Sequence, residues 1–276
     1  MITNRKYVIT GATSGIGNAL AVRFSKNNVV FAGYRNKDFV ENLKKISSNI
    51  IPFYIDMEEK GSISRAAEYI KSQADKIDVL VNAAGYVVGG AMESVDVDDI
   101  RKQFEVNVFS HLDFSQQLLP VLKDKIINIS SMASFGIFPF IAPYCASKRS
   151  LDILFNLMQI EMSAKSALKI VSVKPGVIAT ALWGKSMELN KKSIEKAKDG
   201  YAEAIEYLRE SAYKNQTNGL NVEKVVDLIV KIDSCRRPKS SYTIGADAKV
   251  AAIFSMLPQR LVNFMVKKLL HQKIKR

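Results

Sequence analysis

The stretch PYCASKRS, residues 143 to 150, sets Tyr144 four positions before Lys148. A phenol beside an ammonium can pass a proton, because the cation favours tyrosinate and lowers a pKa that otherwise sits near ~10. Four residues apart on a helix puts both side chains on one face. With 29 lysines and 10 tyrosines in 276 residues, chance alone supplies about one such pair. The meaning of the spacing therefore rests on what surrounds it.

Thirteen residues upstream, Ser131 ends the apolar run KIINIS (125–130), where a hydroxyl can stabilise developing alkoxide charge. Near the N-terminus, YVIT (7–10) runs into TGATSGIG, with glycines at 11, 15 and 17, and then into the helix-like ALAVRFSKN. Glycine lets backbone approach a phosphate without a Cβ in the way, and the helix start behind it offers N–H groups to a pyrophosphate. The next apolar run ends in GYRN. Tyr34 stands where an NAD-selecting acid is expected, and Arg35 follows it. A guanidinium suits a 2′-phosphate, so NADP(H) is favoured over NAD(H).

TGxxxGxG, NAAG at Asn82 to Gly85, Ser131, YxxxK and PGVIAT at Pro175 to Thr180 occur in an order that resembles the short-chain dehydrogenase/reductase family. The resemblance runs from about residue 5 to 180. It implies a catalytic set of Asn107, Ser131, Tyr144 and Lys148, with Asn107 holding a relay water; the other reading of Asn107 is a buried polar helix residue. It implies cofactor contacts from Gly11, Thr13, Ser14, Gly15, Ile16 and Gly17, from Tyr34 and Arg35, and from Asp56 and Met57 near the adenine. It extends them to Asn82, Ala83 and Gly85, to Tyr144 and Lys148 at the ribose, and to Pro175, Gly176, Val177 and Thr180. The C-terminal part is similar to hydroxysteroid and retinol dehydrogenase-like members, which implies a small hydrophobic carbonyl or alcohol substrate. A homo-dimer or tetramer is expected on the same ground. Two other functions stay open: a ketoacyl reductase of lipid synthesis, and a non-catalytic NADP-binding regulator. The intact Ser131, Tyr144 and Lys148 argue against the regulator.

The elements that must position these residues are legible as a pattern. Seven apolar, β-branched runs recur, at 7–10, 29–34, 50–55, 78–84, 125–130, 168–175 and 241–245. They are apolar throughout rather than alternating, which predicts burial on both faces and hence a parallel sheet covered by helices. Leu151, Leu154, Phe155 and Met158 recur at helical spacing after Tyr144. The expected fold is one doubly wound α/β domain of Rossmann type over 1–276, with its ligand beyond the carboxyl ends of the strands. A polar, helix-prone insertion over about 181–220 is expected to cover that ligand, and Leu182, Trp183 and Met187 are candidates for an apolar wall.

Composition narrows the class. Hydrophobic content of 47% and charged content of 24% are those of a soluble globular protein. Two cysteines, Cys145 and Cys235, make no disulfide framework, and the strand-like start leaves no room for a signal peptide, so a cytoplasmic setting is expected. Two isolated histidines, His111 and His271, give no metal site. The net charge of +13 is read as solubility and compositional bias, with no nucleic-acid partner expected. The basic tail, about 255–276, places Val262, Met265, Val266 and Leu269 at helical spacing with lysines mostly opposite. Such a helix can meet an anionic membrane peripherally, or dock on its own subunit or a neighbour.

Overall fold

In a computed structural model of the chain, all seven apolar runs are strands of one parallel sheet. The structure describes residues 2–180, 182–191, scattered positions over 201–214, and 217–274. Nearly half of the 181–220 insertion, and the side chains of Trp183 and Met187, lie outside the described residues.

The chain alternates strand and helix. It runs β1 (Lys6–Ile9), α1 (Gly15–Phe24), β2 (Val29–Tyr34), α2 (Val40–Ile46), β3 (Ile50–Tyr54), α3 (Ser62–Gln73) and β4 (Ile77–Asn82). It continues with α4 (Val97–Phe104), α5 (Ser110–Leu118), β5 (Leu122–Ile129), α6 (Ala142–Met162), β6 (Lys169–Pro175) and α7 (Leu182–Leu189). Then follow α8 (Val222–Ser234), β7 (Ser241–Ile244), α9 (Ala246–Phe254) and α10 (Gln259–Ile274). The strand order is β3-β2-β1-β4-β5-β6-β7. After β3 the chain returns past β1 to lay down β4, so a crevice opens between the ends of β1 and β4, the usual ligand position in this topology.

The runs are apolar throughout because each strand feeds two cores. Ile9, Val79, Val81 and Ile127 face α1 and α8, packing on Leu20, Phe24, Val226 and Ile229. Val8, Leu80 and Ile126 face the other way, onto Ala67 and Ile70 of α3, Phe114 of α5, and Leu151 and Phe155 of α6. Leu151 and Phe155 are fully buried, whereas Leu154 is 37% exposed. The helical spacing after Tyr144 is therefore real, but the buried stripe is narrower than the apolar one.

The amino ends of the strands are tied by charge rather than by apolar contact. Asp233, at the end of α8, is 1% exposed and accepts from the Tyr7 hydroxyl at 2.7 Å. Arg5 Nη1 lies 2.8 Å from the same carboxylate, and its other nitrogen bonds Asp124. Lys125 Nζ completes the ring, 2.8 Å from Asp124 and 3.0 Å from the Asp233 carbonyl. Removing one partner of such a buried set strands the others without water. Asp233→Ala is expected to cost about 3–5 kcal/mol in urea denaturation. A loss below about 1 kcal/mol, the scale of a surface ion pair, would show that the network is solvated.

Candidate active site

The loop from β1 to α1 is shaped by close backbone approach. Gly11 has φ +64°, and a Cβ there would stand 2.9 Å from the backbone of Ala84. A Cβ on Gly17 would overlap the carbonyl oxygen of Gly11. The Thr10 hydroxyl stitches the crevice, accepting from Ala83 N at 3.0 Å and Ala84 N at 3.2 Å. Helix α1 then begins at Ser14, whose side chain makes no capping bond, and its first turn holds no acid. Its leading N–H groups thus point into the crevice with no internal partner, the arrangement that holds a pyrophosphate.

The crevice is a cleft of about 500 Å³. Gly11, Thr13, Ser14, Gly15 and Ile16 form one end, with Tyr34, Arg35, Asp56 and Met57 beside them. Ala83, Gly85, Pro175, Gly176 and Thr180 line its length, and Ser131, Tyr144 and Lys148 its far end. Four expected site residues stand behind the wall rather than on it. Gly17 is buried and makes room for the loop. Asn82 is 1% exposed and donates to Ser115 Oγ at 3.1 Å and Asn128 Oδ1 at 2.8 Å, joining β4 to α5 and β5. Val177 spends its N–H on Asp247 Oδ2 at 2.7 Å. Asn107 sits in a π-helical turn, Glu105–Phe109, fully buried. Its Oδ1 accepts from Tyr86 N at 3.2 Å, and its Nδ2 donates to Tyr86 O and Ser147 Oγ, both at 3.1 Å. These bonds hold the loop after β4 against α6.

Sequence reasoning missed the other struts of that loop. Gln103 donates to Tyr86 O at 2.6 Å and accepts from Val88 N at 3.2 Å. Asn190, just after α7, accepts from Gly89 N at 3.0 Å and donates to Val87 O at 2.7 Å. His111, read only as a helix residue, is fully buried with Nε2 donating to Ala84 O at 2.8 Å. Burial pushes it down to about 4, so it is neutral.

The reacting end is dry. Tyr144 is 7% exposed, and burial pushes its hydroxyl up to about 12 against a smaller downward pull from the Ser131 side chain. Lys148 is 4% exposed, donates to Ile129 O at 2.9 Å, and is pushed down to about 8 by burial, with the Asp152 carboxylate opposing. Its Nζ lies 5.9 Å from the centre of the Tyr144 ring. This corrects the expectation that Lys148 lowers the phenol. Both groups are buried, and burial raises the phenol by disfavouring its phenolate. Tyr144 is held neutral, with a proton to give.

Ser131 caps the 3₁₀ turn Met132–Phe135 by accepting from Ala133 N at 3.1 Å. That use of one lone pair leaves its hydroxyl proton for a ligand oxygen. At the opposite end, Arg35 is 69% exposed on its side chain and stands 3.7 Å from Glu58, beyond hydrogen-bond reach. Val88, Leu182 and Leu189 add apolar lining to the cleft, Leu182 packing on the cluster that holds Tyr144. Among the described residues no cluster of histidine, cysteine and acids could hold a metal ion.

The family model described as short chain dehydrogenase matches residues 5–191. The chain is 28% identical over 273 residues to an NADPH-dependent 3-dehydrocapnine reductase from Ornithobacterium rhinotracheale, covering 94% of this chain and 95% of that one. It is 27% identical over 266 residues to a 3-ketodihydrosphingosine reductase from Bacteroides thetaiotaomicron, covering 94% and 96%. Its fold superposes with TM-score 0.77 on a short-chain dehydrogenase/reductase from Burkholderia phymatum solved with NAD, at 18% identity over 96% of this chain and 97% of that one.

Proposed function

The chain belongs to the short-chain dehydrogenase family, and from that premise we propose that it is an NADPH-dependent reductase of ketones on lipid-like substrates, with Tyr144 as the proton donor. One observation carries the reading. A neutral, buried tyrosine with Ser131 and Lys148 closes one end of a cleft whose other end is the uncapped start of α1. The bound nicotinamide would supply the hydride. The chain's residues manage the oxygen: Ser131 hydrogen-bonds it, Tyr144 hands over its proton, and Lys148 steadies the phenolate left behind. A phenol held up at about 12 is in its acid form across the physiological range, which suits reduction better than oxidation.

The substrate class rests on the apolar lining at Val88, Leu182 and Leu189 and on the two relatives named for reducing 3-dehydrocapnine and 3-ketodihydrosphingosine. The NADPH preference rests on Arg35, exposed at the cleft end where the second strand stops. Known relatives do not impose it, since one is named for NADPH and a structural neighbour holds NAD.

The C-terminal helices support a cytoplasmic enzyme working at an anionic lipid surface. Val262 is 3% exposed and lines a groove with Phe138 and Ala146, so that side chain packs on the chain's own body. Other apolar side chains are left open: Ile253 on α9, Met256 just after it, and Leu261, Phe264 and Leu269 on α10. Lys249, Arg260, Lys267 and Lys268 are exposed around them, and no acid follows Asp247. Among the described residues no helix is long and apolar enough to cross a membrane. A peripheral contact is the geometry such a surface allows.

Three measurements test these points. Tyr144→Phe is expected to lower turnover of 3-ketodihydrosphingosine roughly 10²–10⁴-fold while NADPH binding by fluorescence stays intact; unchanged turnover would remove Tyr144 from the chemistry. Arg35→Ala should raise the NADPH KM about 10–100-fold and leave NADH alone, and an equal loss for both would refute the cofactor preference. The protein should float with vesicles containing phosphatidylglycerol but not with pure phosphatidylcholine. Lys268→Gln should weaken that binding about fivefold, and failure to bind either vesicle would dismiss the lipid surface.

A further inference from the structure

One helical turn beyond Lys148, on the same face of α6, lies Asp152. It is 7% exposed, and neither of its carboxylate oxygens accepts a hydrogen bond. Burying a carboxylate so poorly solvated is costly, and such a group persists where a charge repays it. The charge in contact is Lys174, on β6, whose Nζ stands 3.0 Å from Asp152 Oδ2. Lys174 is itself nearly buried, at 12% of its side chain, and its Nζ lies 5.1 Å from the centre of the Phe135 ring. The pair thus joins α6 to the last turn of β6, immediately before Pro175 and Gly176 of the cleft wall.

The other titratable groups around Lys148 carry no charge. Tyr144 and Cys145 on α6 are pushed up by burial, to about 12 and about 11, and His111 on α5 is pushed down to about 4. Arg149, the next residue on α6, is exposed to solvent. Asp152 favours the Lys148 cation, and Lys174 is the charge in contact with Asp152.

We propose that Asp152 is a positioning residue for the hydride-transfer site, whose buried carboxylate keeps Lys148 cationic, and that Lys174 tunes how much of that negative charge Lys148 feels. The role in turnover rests on the ketone-reductase reading above; the coupling of charges does not.

The sign follows from the cation being the form in use. Lys148 ionises near 8, below its ordinary value, so it is charged below that pH and neutral above it. Reductive kcat/KM should therefore be level at neutral pH and fall as pH rises through about 8. Removing Asp152 takes away support for the cation and moves the fall to lower pH. Removing Lys174 leaves Asp152 unopposed and moves it higher.

The experiment titrates Lys148 directly in the full-length protein by NMR of ¹⁵Nζ-lysine, assigned with Lys148→Arg, and in parallel follows kcat/KM against pH with NADPH and 3-ketodihydrosphingosine. Asp152→Asn should lower the midpoint by roughly one pH unit or more, Lys174→Gln should raise it, and Asp152→Glu should restore it. If Asp152→Asn fails to fold, the upward shift in Lys174→Gln still decides the matter. A midpoint unmoved by both substitutions, or moved the same way by both, overturns the proposal, since loss of packing alone cannot give opposite signs. If the midpoints move as expected in a protein that does not reduce the ketone, the charge coupling stands and the reductase reading falls.

Discussion

The close approach of three backbone segments at the β1–β4 crevice is the constraint on which the rest of the structure depends. Thr10 gives its hydroxyl to two consecutive N–H groups beyond β4. That contact brings Gly11 so near Ala84 that a side chain at Gly11 has no room. Gly17 must likewise be bare for α1 to start where it does. Once those segments touch, the uncapped turn of α1 points at the same opening that Tyr144 and Lys148 face from α6. Ligand site and fold are therefore one arrangement: the topology puts the crevice there, and the glycines let it close.

Burial then decides the chemistry inside it. In water both groups would be protonated near neutral pH, the cation only easing ionisation of the phenol. Out of water the two are driven apart, because desolvation penalises phenolate and ammonium alike and so raises the phenol and lowers the ammonium. The result is a neutral acid beside a weakly held cation, with His111 also neutral behind Ala84. None of this depends on the YxxxK spacing itself, which only puts the two groups on one helix face. It depends on Phe138, Ile141 and Leu182 packing around Tyr144, Cys145 and Val87 to keep water out.

The strands, their parallel arrangement and the reacting trio were legible in the sequence because each rests on local pattern. A strand buried on both faces must be apolar throughout, and a phosphate loop must be glycine where backbones meet. What was not legible depends on distance in three dimensions. Nothing around Asn190 or Gln103 marks them as clamps on the loop at 86–90, since their partners are backbone atoms far along the chain. Asn107 was found by resemblance, but its three hydrogen bonds needed the fold. The α10 stripe was legible but its partner was not. Helical spacing finds Val262 and its neighbours on one face, and it cannot say whether a membrane or protein covers that face; the fold shows Val262 buried. The sign of the Tyr144 shift was missed because spacing reports proximity and is silent on solvent.

The two ends of the sheet solve opposite problems. At the amino ends, Arg5, Tyr7, Asp124, Lys125 and Asp233 pair with one another. At the carboxyl ends, the N–H groups of α1, the hydroxyl of Ser131 and the exposed guanidinium of Arg35 keep capacity in hand. Unsatisfied groups are destabilising wherever they are shut from water, so a fold can leave them at one end only if another part holds the strands together. The buried charges beneath β1 and β5 do this on the same strands that carry Thr10 and Ser131 at their other ends. The hold of one end is thus what lets the other remain open to a cofactor, and β1 and β5 run from the buried charges to the cleft.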